Sequence, residues 1–118
     1  MNITEYSCND YLVIALDGTF DANAVQHCRQ QLEESALNHV GGVAFDLSDV
    51  SFMDSSGIGA LVFIYKQLHA NRRQMALVGL QGQPQRLATL LRIDRTILSF
   101  DTMKSFIALQ HPVQEQRA

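Results

Sequence analysis

Little in this sequence points to bound metal or to an oxidising compartment. Its 118 residues hold only two cysteines, Cys8 and Cys28, without C-x-x-C spacing, and His27, His39, His69 and His111 form no ligand pattern with them. His27 directly precedes Cys28, but adjacent residues on a helix point about a quarter turn apart, so the pair alone predicts no shared ion. Reduced thiols and no metal or cofactor are the expectation. A basic surplus is also missing. Nine Lys and Arg against twelve Asp and Glu give a net charge of -3 and a pI near 5.7, which makes no electrostatic case for nucleic acid or an anionic membrane. No apolar run approaches the roughly 18 residues of a membrane-spanning helix. The start Met1-Asn2-Ile3-Thr4-Glu5 has neither a basic nor an apolar leader segment, which predicts a cytoplasmic protein without membrane insertion.

The usual signatures of catalysis are absent too. There is no G-x-x-x-x-G-K-[ST] phosphate loop and no G-x-S-x-G nucleophile elbow, and nothing marks one of the four scattered histidines as a base. A serine-nucleophile hydrolase is therefore the alternative reading, and a non-enzymatic protein the expectation.

What is present suits one small α/β domain. An apolar fraction of 47% is ordinary for globular chains, and a chain of this length buries roughly two thirds of its unfolded surface, enough for one core. Ile3 opens a short edge segment, Asn9-Asp10 is a turn signal, and Tyr11 to Leu16 is apolar enough for a strand covered on both faces, punctuated by Gly18. Asp21 then precedes a helix whose apolar stripe is Val25, Cys28, Leu32 and Ala36. Gly41-Gly42 leads into a short buried strand, Val43 to Asp46. A further helix from Ile58 to about Leu68 is apolar over much of its circumference and is expected to be the most buried. Asn71-Arg72-Arg73 reads as its polar stop, with the arginines a solvated helix end or a phosphate clamp.

Beyond that stop, Met75 to Leu80 is another buried strand, and Gly82 and Pro84 announce a helix with Leu87, Leu90 and Leu91 as its stripe. Thr96 to Phe100 is expected as a last strand. Asp101 or Thr102 then caps a helix carrying Phe106, Ile107 and Leu109 that ends at Pro112. The predicted domain is 1–110, with 111–118 a frayed tail.

The stretch from Val50 to Leu61 organises the rest. It reads as a polar, glycine-containing turn between a buried strand and an apolar helix, placing Ser55 and Ser56 at a helix N-terminus. Free N–H groups and the helix dipole there favour negative charge. On local grounds Asp54 and the serines are equally an ordinary cap. Gly57 and Gly59 allow close packing on a neighbouring strand or access for a partner. The run Asp46-Leu47-Ser48-Asp49-Val50-Ser51-Phe52-Met53-Asp54-Ser55-Ser56-Gly57-Ile58-Gly59 resembles the D-S-S-G-[LI]-G signature of the STAS domain in bacterial anti-sigma factor antagonists. A second family feature is matched by Leu16-Asp17-Gly18-Thr19-Phe20-Asp21.

The resemblance spans the chain to about Leu109 and implies a mixed sheet of four to five strands with about four helices. It also implies a protein-binding switch in a partner-switching pathway, one that binds a kinase or anti-sigma-type regulator when unphosphorylated and releases it when phosphorylated on serine. A partner serine kinase and a serine phosphatase are implied with it. Ser55 is the implied acceptor, with Ser56 the alternative. The implied partner-binding residues are Thr19, Phe20 and Asp21, together with Phe52, Met53, Asp54, Ser55, Ser56, Gly57 and Ile58. Asp21 remains open between a cap and a partner contact. A non-signalling STAS subunit of a transport or lipid-trafficking assembly is a further alternative, although such relatives commonly lack the serine.

Overall fold

A computed structural model describes residues 1–110; the predicted tail at 111–118 and the helix stop at Pro112 lie outside the described residues. One five-stranded sheet runs in the order β1-β2-β3-β4-β5. The hairpin of β1 (Asn2–Cys8) and β2 (Tyr11–Phe20) is antiparallel and turns at Asn9 and Asp10, where Asn9 takes a positive φ of 57°. β3 (Gly42–Met53), β4 (Met75–Val78) and β5 (Leu98–Phe100) then add in parallel. Parallel neighbours need crossovers, and α1 (Ala22–Asn38) and α2 (Ser55–Ala70) supply the first two. α3 (Gly82–Leu90) and the single turn α4 (Ile93–Thr96) form the third, and α5 (Met103–Gln110) follows β5.

The main core lies between the sheet and α1 and α2. Ile14, Leu16 and Phe20 from β2, and Phe45, Leu47, Val50 and Met53 from β3, meet Leu32 of α1 and Leu61, Ile64 and Leu68 of α2. Each such side chain contributes about 1.5–3 kcal/mol by leaving water. The opposite face of the sheet carries a thinner cluster, Val13, Ala44, Ala76 and Val78, covered by Phe106 of α5. Phe106 meets Tyr11 and Phe100 edge to face at centroid distances of 5.0 and 5.3 Å, a geometry that adds to its area burial.

Several boundaries differ from the expectation. β2 does not stop before Gly18: it continues to Phe20 through register shifts at Ala15/Asp17 and Gly18/Thr19, with Gly18 at φ 123°. β3 runs seven residues past Asp46, because β2 extends beside it and pairs Asp17 with Asp49 and Phe20 with Met53. Val50 to Met53 is therefore strand, not turn. The stripe of α3 is Pro84 and Ala88, with Leu87 partly buried; Leu90 and Leu91 are exposed, Leu90 to 76%, because the chain leaves the core surface there. The last strand begins at Leu98, since residues from Ile93 to Thr96 close a helical turn that buries Ile93. α2 buries Gly57, Ile58, Ala60, Leu61, Ile64 and Leu68, more than any other helix among the described residues, although Phe63 of its apolar circumference is exposed.

Arg73 corrects the solvated-end reading. Its guanidinium donates to the carbonyls of Ala36, Leu37 and Gly41 at 2.7, 3.2 and 2.9 Å, so it satisfies the last carbonyls of α1.

Candidate functional site

β2 and β3 run parallel and end side by side, so the helices that follow them also begin side by side. One residue, Asp21, separates β2 from α1, and one residue, Asp54, separates β3 from α2. Both are N-caps in extended conformation. The Asp21 carboxylate accepts from Ala24 N–H at 3.0 Å. Oδ1 of Asp54 accepts from Ser56 and Gly57 N–H at 2.9 and 3.1 Å, while Oδ2 accepts from Ala22 N–H at 3.0 Å. A single carboxylate thus caps α2 and reaches across to the first residue of α1. Burial pushes the Asp54 carboxyl upward, but donation from the Gly57, Ala22 and Ser56 amides outweighs it and holds the group below its ordinary value, ionised at neutral pH.

Gly57 brings the two helix starts together. A Cβ on it would lie 2.2 Å from the Phe20 carbonyl oxygen and 2.9 Å from Met53 Cγ, so only a residue without a side chain fits. Close packing is the reason for this glycine. A Cβ on Gly59, by contrast, would meet nothing within 4 Å.

The predicted partner-binding residues fall into two sets. Ser55 is the exposed first residue of α2 and makes no side-chain hydrogen bond among the described residues, and Ser56 is half-buried one position further on. Thr19 and Phe52 are paired across the β2–β3 ladder and exposed, Phe52 to 44%. Asp21 and Asp54 are partly exposed. Phe20, Met53, Gly57 and Ile58 are buried, so they lie beneath the exposed residues and do not themselves present side chains at the surface. The alternation of the strands turns Phe20 and Met53 inward as it turns Thr19 and Phe52 outward, so the buried set forms the floor of the exposed one.

The expectation of free N–H groups for an anion on Ser55 also changes. Those of Ser56 and Gly57 are already taken by Asp54, so a negative group there meets a carboxylate before it meets an open helix end.

Two features near the site carried no local signal. Gln83 of α3 holds the backbone of Met53, its Oε1 accepting from the N–H and its Nε2 donating to the carbonyl, each at 2.8 Å. A shallow groove between α1 and α2, lined by Val25, Arg29, Ser56, Gly59, Ala60 and Phe63, starts beside the serines. Arg29 is fixed there by Glu33 at 2.7 Å and lies over the Phe63 ring at 5.4 Å.

Among the described residues no group of three or more His, Cys, Asp or Glu is placed to hold a metal ion, and no helix is long and apolar enough to cross a membrane. Cys8 and Cys28 are free, and burial raises the Cys28 thiol above its ordinary value although the N-terminal ammonium and a backbone hydrogen bond oppose this.

A mixed sheet covered by helices, whose strand ends present two capped helix starts and an exposed serine, defines an α/β domain of one characteristic architecture. The chain belongs to the STAS domain family, whose model matches residues 2–106. It is 31% identical over 78 residues to the anti-sigma-B factor antagonist of Listeria monocytogenes, an alignment covering 66% of this chain and 68% of that protein. Its fold is similar to the anti-sigma factor antagonist SpoIIAA in its unphosphorylated form, with TM-score 0.70 at 20% identity over 95% of this chain and 100% of that one. The phosphorylated form of SpoIIAA, described as a Bacillus cell fate determinant, gives TM-score 0.69 at 18% identity over 92% and 99% of the two chains.

Proposed function

We propose that this protein is a phosphorylation-controlled binding switch of a bacterial partner-switching pathway, similar in role to an anti-sigma factor antagonist. Unphosphorylated, it holds a kinase or anti-sigma-type regulator through Thr19, Asp21, Phe52, Asp54, Ser55 and Ser56, with Phe20, Met53, Gly57 and Ile58 shaping the surface from below. Phosphorylated on Ser55 by that serine kinase, it lets go, and a serine phosphatase resets it. The observation that carries this reading is the division of labour at the start of α2: Asp54 performs the capping, which leaves the exposed Ser55 hydroxyl uncommitted.

The chemistry of release follows from the same arrangement. A phosphate adds about -1.5 to -2 charges at neutral pH. Placed on Ser55, it stands next to the ionised Asp54, whose other oxygen holds Ala22 beside the Asp21 cap, and its oxygens cannot claim the Ser56 and Gly57 amides without displacing Asp54. Docking the modified surface then requires burying several negative charges together, a cost of several kcal/mol. Every ~1.4 kcal/mol is tenfold in affinity, so one phosphate is a sufficient switch.

Binding is favoured over catalysis because no histidine is hydrogen-bonded to either serine among the described residues; His27 instead lies against the Asn23 carbonyl at 2.8 Å. Incubation with the cognate kinase and ATP followed by phosphopeptide mapping tests the proposal. Label on Ser55 is expected. Label on Ser56 moves the acceptor by one residue, and label on neither overturns the switch.

A further inference from the structure

We infer that Gln83 is a positioning residue of the switch: its carboxamide takes the place of a missing strand beside Met53 and so holds Asp54 and Ser55 in register for kinase and partner. The inference rests on the proposed role of Ser55 for its functional half, and on geometry alone for its structural half.

β4 pairs with β3 only as far as Val78 opposite Asp46. From Leu47 to Met53 β3 has β2 on one side and, among the described residues, no strand on the other. Backbone groups along such an edge need partners from elsewhere, and the start of α3 provides them. Gln81 Nε2 donates to the Ser48 carbonyl at 2.8 Å. Gln83 makes the fuller contact, satisfying both the N–H and the C=O of Met53 at 2.8 Å each. An antiparallel neighbour would make the same pair of bonds to one residue. At neutral pH, where carboxyl groups are ionised and only accept, a primary carboxamide carries a donor and an acceptor side by side in one plane, and glutamine has the reach to deliver them from a helix.

The position of this contact gives it a role beyond edge satisfaction. Met53 immediately precedes Asp54, whose carboxylate holds three amides at once: Ser56 and Gly57 of α2 and Ala22 of α1. The Met53 side chain is fully buried and the residue pairs with Phe20 on the β2 side, while the peptide planes on either side of it meet Gln83 on the edge facing α3. Gln83 grips both. Release of that grip lets the Asp54 backbone turn, and the three bonds of its carboxylate loosen together. α3 is thereby coupled to the serine end of the molecule through one side chain.

The test uses the full chain and compares Gln83→Met, which keeps volume and removes both bonds, with Gln83→Glu, which keeps the acceptor for Met53 N–H and loses the donor when ionised. Gln81→Met, which frees only Ser48, serves as the control. Amide hydrogen exchange read by NMR is expected to quicken about tenfold or more at Met53, Ser56, Gly57 and Ala22 in Gln83→Met, with Leu77 in β4 unchanged. The Asp54 carboxyl is expected to titrate at higher pH than in the wild type, and Gln83→Glu to fall between the two. Phosphorylation of Ser55 by the cognate kinase should lose kcat more than KM is raised, since the serine stays exposed but loses its fixed geometry. Unchanged exchange and titration at the junction overturn the inference, and so does a uniform quickening that includes Leu77, which would make Gln83 ordinary fold support. Absence of phosphate on wild-type Ser55 counts against the proposed switch and the functional half of this inference, while the exchange result still decides whether Gln83 holds the junction.

Discussion

The two halves of β3 are built differently. From Val43 to Asp46 the strand lies between β2 and β4, and Val43, Ala44 and Phe45 are wholly buried by packing on both faces. From Leu47 to Met53 it keeps, among the described residues, only β2 as a strand neighbour, buries Leu47, Val50 and Met53 with pairs of more exposed residues between them, and is fastened on its other edge by glutamine side chains. The first half is held by the sheet and the core together; the second is held by pairing on one side, by specific polar contacts on the other, and by the inward residues Leu47, Val50 and Met53, spaced three apart where the register with β2 shifts. The surface proposed to meet a partner and then release it sits at the end of the second half, where chemistry at one residue can alter the surface without opening the core.

The sharpest way to break this contrast is in the first half. Phe45→Ala removes a fully buried ring from the centre of the sheet and is expected to cost about 3–5 kcal/mol in urea unfolding. A loss below ~1 kcal/mol would mean that the central half is not the structural anchor. Next comes Gly57→Ala, where the added methyl meets the Phe20 carbonyl at 2.2 Å and forces apart the starts of α1 and α2. Overpacking of this kind costs about 1–3 kcal/mol, and the disturbance should appear in NMR shifts at Phe20, Ala22 and Met53 before it appears in β4.

Asp54→Asn keeps one acceptor for the cap of α2 but replaces the oxygen that accepts from Ala22 N–H by an amide that cannot, with an expected loss of about 1.5–3 kcal/mol at neutral pH. The folded carboxyl lies below its unfolded value of about 3.9, so its stabilisation is fully present above that value and is lost as pH falls through the folded pKa. The wild type should therefore shed stability in that acid window, while Asp54→Asn shows a shallower slope there; equal slopes would separate Asp54 from the acid limb. Asp21→Ala should cost about 1 kcal/mol as a single cap. If partner binding and phosphorylation of the folded protein survive it unchanged, Asp21 is a cap and nothing more. The smallest effect on stability belongs to Phe52→Ala, within ~0.5 kcal/mol because the ring is exposed, yet affinity for the partner should drop by about 2 kcal/mol, as for an aromatic anchor. Loss of stability with intact affinity would reverse that assignment.

The same contrast explains what the sequence made legible. Elements with local signals were readable: the Asp21 cap, the Cys28, Leu32 and Ala36 stripe of α1, the apolar run of β4, and the Asp54-Ser55 start of α2. The outer half of β3 was not, because Asp46, Ser48, Asp49 and Ser51 interrupt its apolar pattern and the shifts in register with β2 break the two-residue period. Residues defined by contacts far along the chain left no local trace. Arg73 closes the end of α1, Gln83 grips Met53, and Leu90 and Leu91 have helical spacing but no core to face. Of the candidate site, the serines and the caps could be read from the motif, whereas the separation of Thr19 and Phe52 from the buried Phe20 and Met53 required the paired strands.

The central claim is that one phosphate on Ser55 converts a binding surface into a non-binding one without unfolding the domain. Calorimetric titration of the anti-sigma-type partner with unphosphorylated protein and with protein stoichiometrically phosphorylated on Ser55, checked for equal thermal stability, measures it directly. The account predicts an affinity at least a hundredfold weaker for the phosphorylated form, about 3 kcal/mol, with the fold retained; equal affinities for the two forms would contradict it.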